Sequence, residues 1–231
     1  LTIYIYSSAI LLNSFSMTAL MMVCGLAGFP ELAADMGVVQ GAMLALFFAF
    51  SANTRNVIFA DPSGSSTHLM LRTRLFLLMP LAVLSFVLSC VIGSVEAALA
   101  LVLIIRRSSE WIGEVYLSSY EVHNVTRPAV VAITSECATF LLSVALIFLG
   151  IVTPAMATVL WALAPLSAAA WGRLAKPAVS VGLAHNLAKL APNLGSTTII
   201  GIAVYVFRLS LILLVGRVVA GDLFTAFAIG G

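Results

Sequence analysis

The sequence predicts an all-α fold, a polytopic bundle of membrane-spanning helices, from three observations. Of the 231 residues, 62% are hydrophobic and only 9% are charged, whereas a soluble domain carries about 25% charged residues. The mean hydropathy is +1.15. The apolar runs are also continuous, whereas the strands of a transmembrane barrel alternate apolar and polar residues. Composition therefore argues against a soluble domain, and patterning argues against a barrel.

Uncharged runs mark the predicted spans, because about 20 apolar residues cross a bilayer as a helix. The spans cover residues 3–27, 36–53, 75–95, 97–120, 129–149, 153–171 and 196–215, and an eighth begins near residue 222. Spans one to three contain no charged residue. Pro165 predicts a kink in span six, which is tolerated where neighbouring helices satisfy the freed backbone groups.

Span four carries the most informative segment of the chain, residues 106–114 (RRSSEWIGE), directly after a wholly apolar run. Charge at membrane depth costs about 2.5–3.5 kcal/mol per residue on insertion scales. Helical spacing places close to one face the residues Arg107, Glu110, Glu114, Ser118 and Glu121, with Arg106 beside them. The opposite face carries Ile105, Ile112 and Tyr116. We expect the charged face to meet a wet cavity inside the bundle.

Other arrangements of this segment remain open. The charges can form structural ion pairs that hold the bundle together. Alternatively, span four ends at Ile105 and residues 106–121 form a surface helix, although nine residues are too few to cross a bilayer. In a further version, residues 75–105 form one long tilted span.

Two further charges lie at membrane depth. Glu136 falls about two turns into span five, and a carboxyl group away from water favours its protonated form, so it is a candidate for ion or proton coupling. Arg208 lies in the middle of span seven. Its planar guanidinium suits phosphate or carboxylate, so we expect it to face the substrate. Pairing with Glu110, Glu114 or Glu136 is the alternative.

The loops predict orientation and domain organisation. The basic residues after spans two, four and six are Arg55, Arg72, Arg74, His123, Arg127, Arg173, Lys176 and Lys189. By the positive-inside rule these loops and the N-terminus are cytoplasmic. Residues 173–195 predict an amphipathic surface helix that Pro192 and Gly195 end. This helix links a first lobe of six spans, residues 1–172, to the start of a second lobe, residues 196–231, and we expect the chain to be part of a longer protein.

The sequence contains no pattern that indicates enzyme chemistry. Cys24, Cys90 and Cys137 lie in apolar runs without metal-ligand spacing and are expected to be small buried hydrophobic residues. No phosphate-binding loop and no Ser/His/Asp arrangement occurs. We therefore expect a non-enzymatic protein without metal, cofactor or nucleic-acid partner.

Three segments together resemble a known family. They are residues 106–117 (RRSSEWIGEVYL), 51–61 (SANTRNVIFAD) and 220–231 (AGDLFTAFAIGG). The chain resembles bacterial polysaccharide-export flippases, the Wzx-like O-antigen and teichoic-acid branch of the multidrug/oligosaccharidyl-lipid/polysaccharide exporter superfamily. Members have twelve to fourteen helices in two lobes around a central cavity, so the present chain is shorter than the family pattern.

The resemblance implies a transporter of the bacterial inner membrane. It would move lipid-linked oligosaccharide, usually on undecaprenyl pyrophosphate, across the cytoplasmic membrane by alternating access, alongside glycan polymerase and ligase machinery. The expected substrate-binding residues are Arg106, Arg107, Arg208, Glu110 and Glu114, with Glu136 for ion coupling. A cation-coupled exporter of small molecules or drugs is the main alternative. A membrane enzyme and a non-transporting scaffold are further ones, and the enzyme is disfavoured because no outward loop is long.

Overall fold

The computed structural model describes residues 2–51, 54–60, 65–170 and 183–230. Its eight helices within these ranges are α1 (Thr2–Leu26), α2 (Pro30–Met43), α3 (Thr54–Phe59), α4 (Ser65–Val87), α5 (Ala97–Val122), α6 (Thr126–Leu149), α7 (Pro154–Leu163) and α8 (Leu183–Gly230). Three of them continue through short helical segments: α2 through the π-helical Leu44–Phe48 and then Ala49–Ser51, α4 through the π-helical Leu88–Ile92, and α7 through the 3₁₀ turn Ala164–Leu166 and then Ser167–Ala170. The described residues contain no strand, so the all-α prediction is confirmed.

The chain is a multi-pass membrane protein. Five segments are long and apolar enough to cross a membrane: Tyr4–Leu26, Pro30–Phe48, Ser66–Ile92, Thr126–Leu149 and Thr198–Gly230. Helix α5 is not among them because it carries five charged residues, although its 26 residues measure about 39 Å at 1.5 Å per residue. The apolar helix Pro154–Ala170 is shorter.

Helix α8 is a helical hairpin. At Gly216 the backbone adopts φ 80° and ψ 166°, a left-handed value that glycine reaches without a side-chain clash. The chain then reverses, and the rings of Phe207 and Phe227 lie 5.8 Å apart across the two arms. The predicted spans seven and eight are therefore two antiparallel arms. The second arm begins at Arg217, five residues earlier than predicted.

The helix connections gather at two ends of the bundle. A cavity is lined jointly by the α1–α2 connection at Gly28, the α6–α7 connection at Gly150, and Val218 after the hairpin turn. Arg217 also donates to the carbonyl oxygens of Gly93 and Ser94 in the α4–α5 connection. The opposite end holds the α5–α6 connection, where the Tyr6 hydroxyl at the start of α1 donates to the Val125 carbonyl.

Helix α5 occupies the centre of the bundle. It contacts six other helices, α1 to α4, α6 and α7, and Leu103, Trp111 and Val115 on it are buried. A Cβ atom at Gly113 would lie 2.7 Å from the carbonyl oxygen of Pro165, so glycine permits the close approach of α5 to α7. The predicted kink at Pro165 is confirmed as the tight turn Ala164–Leu166.

The bundle buries charge and exposes apolar side chains. Arg106 is 0% exposed and Glu110 is 4% exposed, whereas Ile105 on the opposite side of α5 is 37% exposed. On the outer helices Leu141 and Leu214 are 65% and 80% exposed. This distribution suits a hydrocarbon surrounding, in which an outward charge is costly and an outward leucine is not.

Several predicted boundaries are wrong. Span two begins at Pro30 rather than residue 36, and span three begins with Ser65 rather than residue 75. The run before each predicted start contains charged or polar residues, which helices in a packed bundle can bury against partners. The α3 helix between these spans was not predicted.

Two alternatives for span four are also wrong. The break at residues 93–96 separates α4 from α5, so residues 75–105 are not one span. Helix α5 runs without interruption through residues 106–121, most of which are buried, so this segment is not a surface helix.

The predicted linker also differs from the structure. Pro192 and Gly195 do not end a helix, because α8 runs through both positions from Leu183. Residues 173–182 of the predicted linker lie outside the described residues.

Candidate functional site

Arg106 is the centre of a buried ion cluster where α1, α5, α6 and α7 meet. Its Nε donates to Glu110 one turn later at 3.0 Å, and its Nη1 donates to Glu136 at 2.7 Å. The same Nη1 donates to the Trp161 carbonyl oxygen at 2.8 Å. Its Nη2 is bonded to the Asn13 carbonyl and side-chain oxygens and to the Ser16 hydroxyl. Every nitrogen of this guanidinium is therefore engaged within the protein.

Trp161 contacts both charges of this cluster. Its indole Nε1 donates to the second oxygen of Glu136 at 2.9 Å, and its ring lies 4.4 Å from the Arg106 guanidinium carbon. Glu136 thus receives one bond on each carboxylate oxygen. Buried charges persist when they are paired and hydrogen-bonded in this way.

Arg107 and Glu110 border a small cavity between α1, α2 and α5. Arg107 donates through Nη1 to Glu110 at 2.9 Å, and its side chain is 18% exposed. The cavity holds about 40 Å³ and is lined also by Ser14 and Gln40. One water requires about 10–15 Å³ and two to four polar partners, so this space can be hydrated.

Glu114 lies outside this cluster, in a separate pair with Arg74. Arg74 Nη2 donates to Glu114 at 2.9 Å and to the Thr54 hydroxyl at 2.7 Å. Its Nη1 donates to the carbonyl of Trp111, whose ring lies 5.2 Å from the guanidinium carbon. The sequence analysis placed Arg74 in a basic loop, and this is wrong, because the side chain is 1% exposed.

The remaining carboxylate on α5 is paired near the end of the bundle. Glu121 accepts from Arg55 Nε at 2.9 Å and from its Nη2. The Arg55 side chain is 41% exposed, whereas that of Glu121 is 6% exposed. Each carboxylate on α5 therefore has an arginine partner.

Arg208 has a different environment. Its Nη1 donates to the Gly37 carbonyl oxygen at 2.6 Å and to Gln40 Oε1 at 2.9 Å, and its guanidinium lies 5.5 Å from the Phe224 ring centre. All three neighbours are neutral. Among the residues with described side chains, no carboxylate lies within 4.0 Å of Arg208 and no acceptor is bonded to its Nε or Nη2.

Arg208 lines a pocket of about 260 Å³ between α1 and the α8 hairpin. Its lining includes Thr18, Phe207, Phe224 and Phe227. The second arm of α8 packs closely here: Phe224 lies so near Gly37 that any side chain at that position would displace its ring. Both arms of the hairpin therefore pack closely against α2, Phe224 at Gly37 and Arg208 at Gly41.

The structure divides the predicted site residues into three groups. Arg106, Arg107, Glu110 and Glu136 lie together, Glu114 lies with Arg74, and Arg208 stands apart. The alternative that pairs Arg208 with Glu110, Glu114 or Glu136 is wrong for this conformation. Residues that the sequence analysis missed are Asn13, Ser16, Thr18, Gln40 and Trp161. Their only signal was a polar or aromatic side chain inside an apolar run.

The cysteines and possible metal ligands add no further site. Cys24 is buried, but Cys137 is exposed, so the prediction that all three cysteines are buried is wrong. No group of three or more His, Cys, Asp or Glu residues in the described ranges is placed to hold a metal ion.

Comparisons of the chain with protein-family models, with curated proteins and with solved structures gave no match. The resemblance to polysaccharide-export flippases remains a prediction from the three quoted segments.

Proposed function

We propose that the chain is part of a flippase that moves lipid-linked oligosaccharide across the bacterial cytoplasmic membrane. The observation that carries the proposal is Arg208, a cation within a membrane-spanning segment that lines a pocket and has no carboxylate partner among the residues with described side chains. An uncompensated charge at this depth is costly, and such residues usually mark a substrate or ion pathway. An anionic group that entered the pocket would supply the missing partner.

The exposed edge of Arg208 suits a phosphate group. Nε and Nη2 lie on one side of a planar fork, and such a pair of donors can bind two phosphate oxygens at once. The adjacent Thr18 hydroxyl is a further polar group at the pocket. In the proposed mechanism the phosphate meets Arg208, the sugars occupy the wet interior, and the lipid tail stays in the bilayer while the lobes rock.

The Arg106 cluster has a supporting role in this mechanism. Because Arg106 is already saturated by protein acceptors, it holds α1, α5, α6 and α7 in register rather than binding phosphate in this conformation. Arg107 borders a cavity that can hold water and is the next cation available to a substrate. Glu110, Glu114 and Glu136 set the positions of these arginines.

The distribution of charge supports a cytoplasmic N-terminus. Arg55, His123 and Arg127 lie toward the end of the bundle where α1 begins, whereas Glu31 and Glu96 lie toward the other end. Arg217 also lies at that other end, paired with Asp35. By the positive-inside rule we propose that the first end is cytoplasmic.

One observation favours the alternative, a cation-coupled exporter of small molecules. A groove of about 200 Å³ between α1 and α6 is lined by Phe15, Phe140 and Leu141 and reaches Glu136. Such a groove suits an apolar cation. Glu136 is neutralised by Arg106, however, so a cation would first have to break a buried ion pair.

The test compares Arg208→Gln with Arg127→Gln in cells that depend on the protein for glycan export. Arg127 is an exposed arginine at the start of α6 and serves as the matched loss of one positive charge. We expect Arg208→Gln to abolish export at normal protein levels and Arg127→Gln to retain it. Normal export by Arg208→Gln would refute the proposal, and drug efflux that is independent of Arg208 would favour the alternative.

A further inference from the structure

Gln40 joins the open arginine to the rest of the bundle. Its Oε1 accepts from Arg208 Nη1 at 2.9 Å, and its Nε2 donates to the Thr18 hydroxyl at 2.8 Å. The amide oxygen therefore accepts a hydrogen bond while the amide nitrogen donates one, which fixes the orientation of the amide. Gln40 also lines the small cavity that Arg107 and Glu110 border.

Position 40 is a place in this structure where a carboxylate would neutralise Arg208, because the side chain there already accepts from the guanidinium. Elsewhere in the bundle the arginines at this depth meet glutamates: Arg106 meets Glu110 and Glu136, and Arg74 meets Glu114. Gln40 has the same shape as glutamate and occupies the equivalent position beside Arg208, but it carries no charge. A single NH₂ group in place of an oxygen keeps the guanidinium available.

We propose that Gln40 determines the charge selectivity of the Arg208 pocket: as a neutral side chain beside the guanidinium it leaves the positive charge without a counter-charge, so that an anionic ligand such as a phosphate ester provides it. This inference rests on the proposed role of Arg208 in binding phosphate. It adds a selectivity role for a residue that lies in an uncharged run of the sequence.

Thr18 supports this assignment. The Gln40 amide nitrogen donates to the Thr18 oxygen, so the Thr18 hydrogen is free to donate elsewhere. Thr18 also lines the Arg208 pocket. If Gln40 were replaced by glutamate, the Thr18 hydroxyl could donate to the new carboxylate, and the local hydrogen bonding would survive the change.

The proposal predicts opposite effects of Gln40→Glu on stability and on binding. The new carboxylate would form an ion pair with Arg208 and satisfy a charge that the bundle leaves uncompensated, so thermal stability should stay equal or rise. The same ion pair would occupy the site where the anion binds. If Gln40 had a purely structural role, the substitution would weaken binding only by destabilising the fold, so binding and stability would fall together.

The experiment measures binding of inorganic pyrophosphate to the purified chain in detergent by isothermal titration calorimetry, with thermal unfolding recorded in parallel. We expect Gln40→Glu to weaken binding at least tenfold, as Arg208→Gln does, without lowering the unfolding temperature. Gln40→Met, which removes the hydrogen bonds but adds no charge, should stay within about threefold of the unsubstituted chain. Asn124→Asp, which adds a carboxylate at an exposed position outside the pocket, should leave binding unchanged.

The outcomes separate this inference from the proposed function. If Gln40→Glu binds within twofold of the unsubstituted chain while Arg208→Gln loses binding, the role of Gln40 is overturned and the role of Arg208 stands. Unchanged binding by Arg208→Gln overturns both. If Gln40→Glu fails to fold, Gln40→Met decides: retained binding supports the inference, and a tenfold loss shows that the hydrogen bonds rather than neutrality matter.

Discussion

Arg106 and Arg208 are the same residue type in one bundle, and each guanidinium lies beside an aromatic ring, yet their burial and their charged partners differ. Arg106 is fully buried, has two carboxylate partners and donates from every nitrogen. Arg208 is partly exposed, and among the residues with described side chains its partners are neutral and none is bonded to Nε or Nη2. The difference lies in the neighbours, because α5 and α6 present glutamates to Arg106, whereas α2 presents a glutamine and a carbonyl oxygen to Arg208.

This contrast separates a charge that holds helices together from one that can receive a ligand. Removing one partner from a buried pair costs about 3–5 kcal/mol, because it leaves an uncompensated charge behind. Removing a charge that has no ionic partner leaves no unpaired charge behind, so its cost in stability is smaller. Stability and ligand binding should therefore respond in opposite ways to substitutions at the two arginines.

The largest expected effect is that of Arg106→Leu. It leaves Glu136 without a cation and removes the bonds to Asn13 and Ser16, so we expect a loss of about 3–5 kcal/mol in the free energy of unfolding. Thermal unfolding in detergent and the yield of folded protein measure this loss. Arg208→Gln is the control and should unfold within about 1 kcal/mol of the unsubstituted chain. If both substitutions lowered the free energy of unfolding equally, Arg106 and Arg208 would not differ in their contribution to stability, and the contrast would be wrong.

A second substitution sharpens the description of the Arg106 cluster. Trp161→Phe keeps an aromatic ring beside Arg106 but removes the indole donor to Glu136. A hydrogen bond to a charged group contributes about 1.5–3 kcal/mol, and we expect a loss of this size in unfolding free energy. A change smaller than about 0.5 kcal/mol would mean that water or another donor replaces the indole, which would contradict a structural role for this hydrogen bond.

The smallest effect is expected at the end of the bundle. Arg55→Gln removes the charged partner of the buried Glu121, but the glutamine amide can still donate to that carboxylate, and solvent reaches the pair at the 41% exposed arginine side chain. Exposed ion pairs contribute about 1 kcal/mol or less because solvent screens them. Chemical denaturation at low and high salt should show a small loss that shrinks as salt rises. A loss as large as that of Arg106→Leu would show that burial does not determine how much each ion pair contributes to the free energy of unfolding.

The sequence predicted which residues are charged at depth and which side of α5 carries them, because helical spacing is a local property. It also located the kink at Pro165, which follows from the missing amide hydrogen of proline. The hairpin was anticipated as two separate spans, although its turn at Gly216 is tighter than the expected loop.

The pairing of those charges could not be predicted, because it depends on which helices are neighbours. Arg74 follows His68 and Arg72 in the sequence and resembles a loop residue, yet helix α4 carries it inward to Glu114. Gln40 gave only the signal of a single polar residue in an apolar run, which has no periodicity and does not show what the side chain contacts. Its importance follows only from the position of α8 beside α2.

The most direct test of the contrast uses two positions on one helix. Ser16 contacts Arg106 and is 3% exposed, whereas Thr18, two residues later, lines the Arg208 pocket. Cysteine is placed at each position in a chain whose three native cysteines are replaced by alanine, and labelling by an anionic methanethiosulfonate reagent is timed in proteoliposomes. We predict that the cysteine at position 18 reacts and is protected by pyrophosphate, and that the cysteine at position 16 does not react. Equal reactivity at the two positions, or a sealed position 18, would contradict the account.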